Sequence, residues 1–336
     1  MKRVVLYIDP RSLNDATSYY IDIIKKAANN IGYDFLISES INTIKFNDIL
    51  FTITTKNYVK GIFLRPFCKT IFWSQGVDPE ESLLRDNNYL KYYIKSLIEF
   101  ISLRHSGFKF FVSQAMLNHY KKKYSYNNLN HLVMPCYNLN DKHIHNVNLS
   151  KYKHPSFVYA GSLSIWQNID EILQVYKYIE KKVHNSSLTL LTQENEKAKA
   201  LIKKYNIKHS FIKYVDLENL HEELLKHKYG FLLRKNILVN NVATPTKMNS
   251  YLACGLVPIF TDAINDYSEK INLKGYNLKI KSFISIEEIA NQIIDFENSQ
   301  TNFASLSIEI KKLFHDYYND DKYIKEIQLK LKSYLS

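Results

Sequence analysis

Short apolar runs rich in β-branched residues alternate with segments of helical period, and the alternation occurs twice. That pattern limits the chain to α/β folds with parallel sheets covered on both faces. In the first half, Val4 to Asp9, Tyr33 to Ile37, Asp48 to Thr54, Phe108 to Ser113 and Leu132 to Met134 read as strands. Gly61 to Phe67 and Thr70 to Ser74 are two more apolar runs, split by Pro66 to Lys69. A helix capped by Asp15 or Thr17 runs to Gly32. Asn88 to Arg104 is a long helix, with apolar spacing at Leu90, Tyr93, Leu97 and Ile101. Gln114 to Tyr124 is a basic helix.

From Asn138 to His154 the chain turns polar and loses its apolar period, which marks a linker. The alternation then restarts. Strands at Ser156 to Ala160, Ser187 to Leu191, Phe211 to Tyr214, Tyr229 to Leu233 and Leu256 to Thr261 interleave with helices. The helices are Ile169 to Lys182, Lys197 to Tyr205, Leu217 to Lys226 and Thr246 to Cys254. Ile286 to Phe296 and Ile308 to Leu335 close the chain as helices. The expected division is 1–148, 149–310 and a final helix 311–336 packing back toward the first domain. Two such domains enclose a cleft, and ligands of parallel sheets sit beyond the carboxyl ends of strands.

The chain has 336 residues, is 46% hydrophobic and carries a net charge of +12. A cationic chain calls for nucleic acid, anionic lipid or a phosphorylated substrate. Lysine used as surface filler explains the same charge, since lysine, asparagine, tyrosine and isoleucine all abound. Among other function classes, no nucleic-acid-binding signature, Walker loop or GxSxG elbow is present. Val4 to Ile8 is too short for a signal-peptide core and no run reaches membrane-span length, so the expected location is cytoplasmic. Cys68, Cys136 and Cys254 lack metal-like spacing and read as reduced core thiols. His143 and His145 read as a polar loop rather than zinc ligands.

Two segments carry phosphate chemistry. In Ala243 to Gly255, Thr244 is placed to N-cap a helix with Pro245 in its first turn, and Gly255 ends it. A helix start offers free N–H groups to an anion. Lys247 one turn in, and Arg234 at the preceding strand end, add charge. In Phe157 to Ser164, Gly161 follows a strand and lets backbone approach a phosphate. Both segments also read as ordinary strand–helix junctions. Glu80 and Glu81 supply either a base or the cap of the following helix. The interleaved His119-Tyr120-Lys121-Lys122-Lys123-Tyr124, after Tyr92, Tyr93 and Lys95, suits either a solvated face or anionic headgroups.

These segments, with Phe72 to Ser82, Phe111 to Met116, Val133 to Tyr137 and Tyr159 to Leu163, resemble the family-4 glycosyltransferases of the two-domain GT-B type. The branch they resemble makes capsule and O-antigen polysaccharides. The resemblance implies two Rossmann-like domains with parallel sheets facing across a cleft. It implies retaining transfer from a nucleotide-sugar donor to a polyprenyl-diphosphate-linked oligosaccharide, at the inner face of the cell membrane, with no metal and no nucleic acid. The donor would then be held by Gly161, Ser162, Thr244, Thr246, Asn249 and Ser250, with Arg234 and Lys247 on the leaving group. Gln75, Gly76 and Glu81 would lie on the acceptor side. The chain departs from the family where an Arg and a Lys usually grip the diphosphate, which here are Ser162 and Gln167. It departs again where two glutamates usually stand, which here are Val242 and Ser250. A sugar-nucleotide 2-epimerase or a lapsed transferase acting as a binding protein are the alternative readings.

Overall fold

The computed structural model describes residues 2–335 apart from 11, 14, 146, 147 and 300. In chain order the first half runs β1 (Arg3–Tyr7), α1 (Asp15–Asn30), β2 (Asp34–Ser38), β3 (Ile49–Thr52), α2 (Thr55–Leu64), β4 (Lys69–Ser74), α3 (Asp78–Asp86), α4 (Tyr89–His105), β5 (Phe108–Phe111), α5 (Gln114–Tyr124) and β6 (His131–Val133). The second runs β7 (Ser156–Ala160), α6 (Ile169–Lys182), β8 (Ser187–Leu191), α7 (Asn195–Lys204), β9 (Ser210–Lys213), α8 (Leu217–Leu224), β10 (Tyr229–Leu232), α9 (Leu238–Asn241), α10 (Lys247–Ala253), β11 (Val257–Thr261), α11 (Asn265–Lys270), β12 (Leu278–Ile280), α12 (Ile286–Asn298), α13 (Leu306–Tyr317) and α14 (Asp320–Leu335).

The chain divides into two units. One comprises Met1–Asn138, Asn241–Thr244 and Asn319–Ser336; the other comprises Leu139–Asn240 and Pro245–Tyr318. Each has its own parallel sheet, ordered β2-β1-β3-β4-β5-β6 in the first and β12-β11-β10-β7-β8-β9 in the second. In the second the chain leaves β7 toward β8 on one side and returns to β10 on the other. That makes the β7–β10 pair a topological switch point, where parallel sheets open a crevice at their carboxyl ends. The first sheet reverses in the same way at β1 and β3.

The core of the first unit holds Tyr20 stacked on Trp73 at 3.9 Å, with Phe110 edge-on to Tyr20. In the second, Phe157 stacks on both Tyr229 and Phe231. Offset aromatic stacks of this kind add about 0.5–1.5 kcal/mol each to the area they bury.

Several local expectations change. Gly61 to Phe67 is not a strand: its first residues finish α2, which Thr54 caps by accepting from Asn57 N. Asp15 and Thr17 lie inside α1 rather than ahead of it. The single helix expected over Ile308 to Leu335 is two, because Tyr318 ends α13 and the Asn319 side chain accepts from Lys322 N at the start of α14. Asp320, at the start of α14, accepts from the hydroxyls of Tyr19 and Tyr137. Tyr334 OH accepts from Thr70 N, so α14 is tied at both ends to the first unit. Of the cysteines, only Cys254 is fully buried; Cys68 and Cys136 are half-buried, and all three are free thiols. Among the described residues no helix is long and apolar enough to cross a membrane.

Candidate functional site

The second unit brings Gly161, Arg234 and Lys247 together at its switch point. Gly161 follows β7 and Arg234 follows β10, which are hydrogen-bonded neighbours. Gly161 has φ +131° and donates its N–H to Leu191 O at 2.8 Å. A Cβ there would stand 2.9 Å from Lys247 Nζ. Only glycine combines that backbone with that approach.

Lys247 is half-buried. Its Nζ donates to Gln167 Oε1 at 2.5 Å and to Tyr159 OH at 3.2 Å, and sits 4.4 Å from the centre of the Tyr159 ring. Tyr159 OH in turn donates to Ser162 O at 2.5 Å. Arg234 is 4% exposed; its Nη1 donates to Trp166 O at 2.6 Å, while its buried Nε has no partner among the described residues. Its backbone is clamped, with Arg234 N donating to Thr261 Oγ1 and Thr261 Oγ1 to Arg234 O. Among the described residues neither cation has a carboxylate within ion-pair distance. Burial drives the Lys247 ammonium well below its ordinary value, and the charge of Arg234 adds to the effect. Burial pushes the Arg234 guanidinium down to about 10. A buried and a half-buried cation without a counter-charge are costly unless an anion joins them. Chemically, the arrangement is able to receive an anion.

The loop after Gly161 is held from behind. Glu194 Oε1 accepts from Leu163 N at 2.6 Å, and Lys197 Nζ donates to Leu163 O at 2.7 Å. Gln167 uses its neutral amide to accept from Lys247. An ammonium there would meet another.

The remaining donor-side residues fall differently. The helix is α10, seven residues long, with Thr246 at its N-cap and no side-chain cap bond, so Pro245 precedes the helix rather than opening it. Thr244 does not cap it: its hydroxyl donates to Val112 O and accepts from Cys136 N, all within the first unit. Asn249 commits its amide to Leu139, accepting from its N–H at 2.9 Å and donating to its C=O at 3.0 Å. Ser250 is buried on the same helix, and the Ser162 hydroxyl meets that of Ser164 at 3.0 Å. Gly255 ends α10 as expected, at φ +66°, with Leu256 N donating to Tyr251 O. Sequence reading missed Tyr159 and Trp166 as partners of the two cations, and no local pattern marks them.

In the first unit Gln75, Gly76 and Glu81 line one cavity of about 470 Å³, with Thr54, Lys56 and Asp78. It opens where β3 and β4 end. Glu81 Oε1 accepts from Val77 N at 3.2 Å, which closes the start of α3. Burial raises the Glu81 carboxyl above its ordinary value, and Asp78 raises it further. Glu80 instead pairs with Lys123 at 2.7 Å. The basic stretch on α5 does not present one face to a surface: Tyr120 is buried and Lys123 is ion-paired to Glu80 and Glu99, leaving Lys121 and Lys122 exposed. His143 Nδ1 bonds Asn140, and His145 packs its ring on His221. Among the described residues no three His, Cys, Asp or Glu side chains gather as metal ligands would.

Two Rossmann-like sheets, one with a cation pair at its switch point, match a class of known folds. Residues 140–313, more than half of the chain, match the glycosyl transferases group 1, and the chain belongs to that family. Solved structures show the same GT-B fold. HepE of Anabaena, solved with UDP-glucose, is 10% identical with a TM-score of 0.75, over 99% of this chain and 100% of that one. Sucrose-phosphate synthase from Thermosynechococcus elongatus is 11% identical with a TM-score of 0.74, over 99% and 98%. TarM of S. aureus, solved with UDP, is 13% identical with a TM-score of 0.67 over 86% of this chain. The chain spans 56% of TarM. No protein of curated function matches the sequence.

Proposed function

We propose that the protein transfers a sugar from a nucleotide-sugar donor, whose diphosphate binds between Lys247 and Arg234. The observation that carries this reading is a pair of cations, Arg234 buried and Lys247 half-buried, with no carboxylate partner among the described residues, at the carboxyl edge of a parallel sheet. As the glycosidic bond breaks, the departing diphosphate gains negative charge. Fixed donors already aimed at it stabilise that charge without reorganising. Gly161 lets backbone approach the phosphates, and Gln167 holds Lys247 in place while adding no competing charge. Two fixed cations do the work that a divalent ion does elsewhere, so transfer proceeds without added metal and survives chelation. Ser250 takes the place of the usual ribose-binding glutamate and bonds a hydroxyl more weakly than a carboxylate.

The acceptor lies on the first unit, in the cavity lined by Gln75, Gly76 and Glu81. By resemblance to the capsule and O-antigen branch, we propose a polyprenyl-diphosphate-linked oligosaccharide as acceptor, retention at the transferred carbon, and work at the inner face of the membrane. WaaG, a structural relative at 11% identity and a TM-score of 0.67, is a glycosyltransferase involved in lipopolysaccharide biosynthesis, which supports that setting.

The test is a thermal-shift screen across nucleotide sugars, followed by turnover of the ligand found, with and without lipid-linked acceptor. A ligand at 100 times its Kd stabilises by about 2.7 kcal/mol. A transferase consumes the donor only with acceptor; conversion of the donor alone to its 2-epimer, or binding without turnover, contradicts the reading.

A further inference from the structure

The cavity of about 470 Å³ at the ends of β3 and β4 is acidic, on a chain whose net charge is +12. Asp78, Glu81 and Glu99 all line it. The ammonium of Lys56 lines it too, but that side chain is 79% exposed and leans to within 3.7 Å of Asp9. Lys95 pairs with Asp78 at 2.5 Å, and Lys123 is shared between Glu80 at 2.7 Å and Glu99 at 3.0 Å. His119 stands 3.7 Å from Glu80, where burial pushes it toward its neutral form. Lys95 and Lys123 thus answer Asp78, Glu80 and Glu99, and nothing is left for Glu81. Among the described residues no cation stands within ion-pair distance of the Glu81 carboxylate.

That carboxylate is fixed in place. Its Oε1 accepts from Val77 N at 3.2 Å, at the foot of α3, and a Cβ on residue Gly76 would collide with that oxygen. Gly76 therefore leaves the room that the carboxylate occupies. Burial and Asp78 keep the Glu81 carboxyl above its ordinary value, as negative charge incompletely offset does. A cation placed beside it would bring the value down again. Thr54, Thr55, Ser74 and Gln75 add neutral polar groups to the lining, and Phe72 and Trp73 add ring surface. Hydroxyls and a ring face are what a sugar offers to such a wall, and the unpaired carboxylate asks for a donor with positive charge.

We propose that the cavity selects the acceptor by charge, taking an amino sugar whose nitrogen is free and protonated, with Glu81 as the residue that reads it. A charge-assisted hydrogen bond from the ammonium to Glu81 is about twice as strong as one from a hydroxyl. Acylation of the nitrogen removes the charge and leaves a single N–H. A uronic acid or a phosphorylated sugar meets an excess of like charge and is turned away. The inference rests on the reading of this cavity as the acceptor side, and adds to it the class of sugar. The diphosphate of a lipid-linked oligosaccharide sits at the end opposite the sugar being extended, so its charge stays outside the cavity.

The test is titration of the intact protein, without donor, with methyl glycosides that share one ring: the glucosaminide, its N-acetyl derivative, the glucoside and the glucuronide. Saturation-transfer NMR near neutral pH reads the binding. Comparison is with Glu81→Gln, whose amide oxygen can keep the bond from Val77 N, and with Gly76→Ala, which displaces the carboxylate without removing its charge. Unchanged circular dichroism and melting show that the fold is kept. The expected order puts the glucosaminide first, about tenfold ahead of the glucoside and the acetamide, with the glucuronide weakest. Both variants lose the advantage of the amine, and Glu81→Gln also admits the glucuronide more readily. Three results overturn the proposal: no binding of the glucosaminide, a glucuronide bound as tightly as the glucosaminide, or a preference for the amine undiminished in Glu81→Gln. Since no donor is present, the outcome is separate from that of the transfer reading. A protein that ranks the glycosides in this order but consumes no donor keeps the charge selection and loses the transfer.

Discussion

Lys247 makes two contacts that oppose its charge only weakly, a neutral amide and a phenol, and none with an acid among the described residues. Burial therefore lowers its proton affinity, and an anion bound beside it would raise it again. Lys247→Met keeps the stem and removes the charge. It should lower kcat by roughly 10²–10³-fold, as loss of one fixed oxyanion donor does. It should also leave the melting temperature of the ligand-free protein unchanged or raised, because a partly desolvated cation without a carboxylate partner is gone. Steady-state kinetics and calorimetry on the same preparation check both halves. Lys151 gives a second single-residue test. It is 9% exposed, donates to Cys254 O at 2.7 Å and is pushed down to about 7 by burial. The unfolded chain binds this proton up to its ordinary value of 10.5, so it holds more protons than the folded one between those limits. Stability contributed here consequently rises with pH from about 7 to 10.5 and is lost as pH falls back through that window. Urea melts across it should show wild type gaining, on the order of a few kcal/mol, relative to Lys151→Met.

At the scale of elements, the loop from Gly161 to Asn168 and helix α10 would form the proposed receptor jointly. Gly161→Ala places a Cβ 2.9 Å from Lys247 Nζ at a φ of +131° that side chains avoid. It should cost about 1–3 kcal/mol of stability and weaken nucleotide binding together, measurable by denaturant melts and calorimetric titration. Much of this was legible beforehand. Strand runs and their order are written in apolar periodicity, and Gly161, Arg234 and Lys247 stand at strand and helix ends where parallel sheets place ligands. The bonding of Gln167 and Tyr159 to Lys247 was not, because it depends on how closely β7 and α10 pack. Asn249 was misjudged for a related reason: a helix position reads alike whether it faces a ligand or, as here, Leu139. Helix α2 was lost among apolar residues, since Gly61 to Phe67 is too short to show a period without its cap at Thr54. Helix α4 had the apolar spacing of a core helix, and sequence periodicity alone does not say which side of the stripe meets water.

At the scale of the molecule, chain order and unit membership part company. Asn241–Thr244 and Asn319–Ser336 belong with the first unit though they follow most of the second. Thr244 shows why a local reading fails there: its hydroxyl answers to Val112 and Cys136, far away in sequence and close in space. On the first unit, Glu81→Gln should raise KM for the acceptor several-fold and leave donor Kd unchanged, because the cavity that Glu81 lines is remote in sequence from the cation pair. A bisubstrate kinetic analysis separates the two. The most direct measurement is calorimetric titration of nucleoside diphosphates near pH 8 in two buffers of different ionisation enthalpy, on wild type and Lys247→Met. Because desolvation and Arg234 hold the Lys247 ammonium below its ordinary value, an anion bound to it should draw protons onto wild type rather than release them. Affinity should drop at least tenfold and the uptake vanish in the variant. Equal affinity in the two proteins, with no proton taken up by either, contradicts a diphosphate held by Lys247.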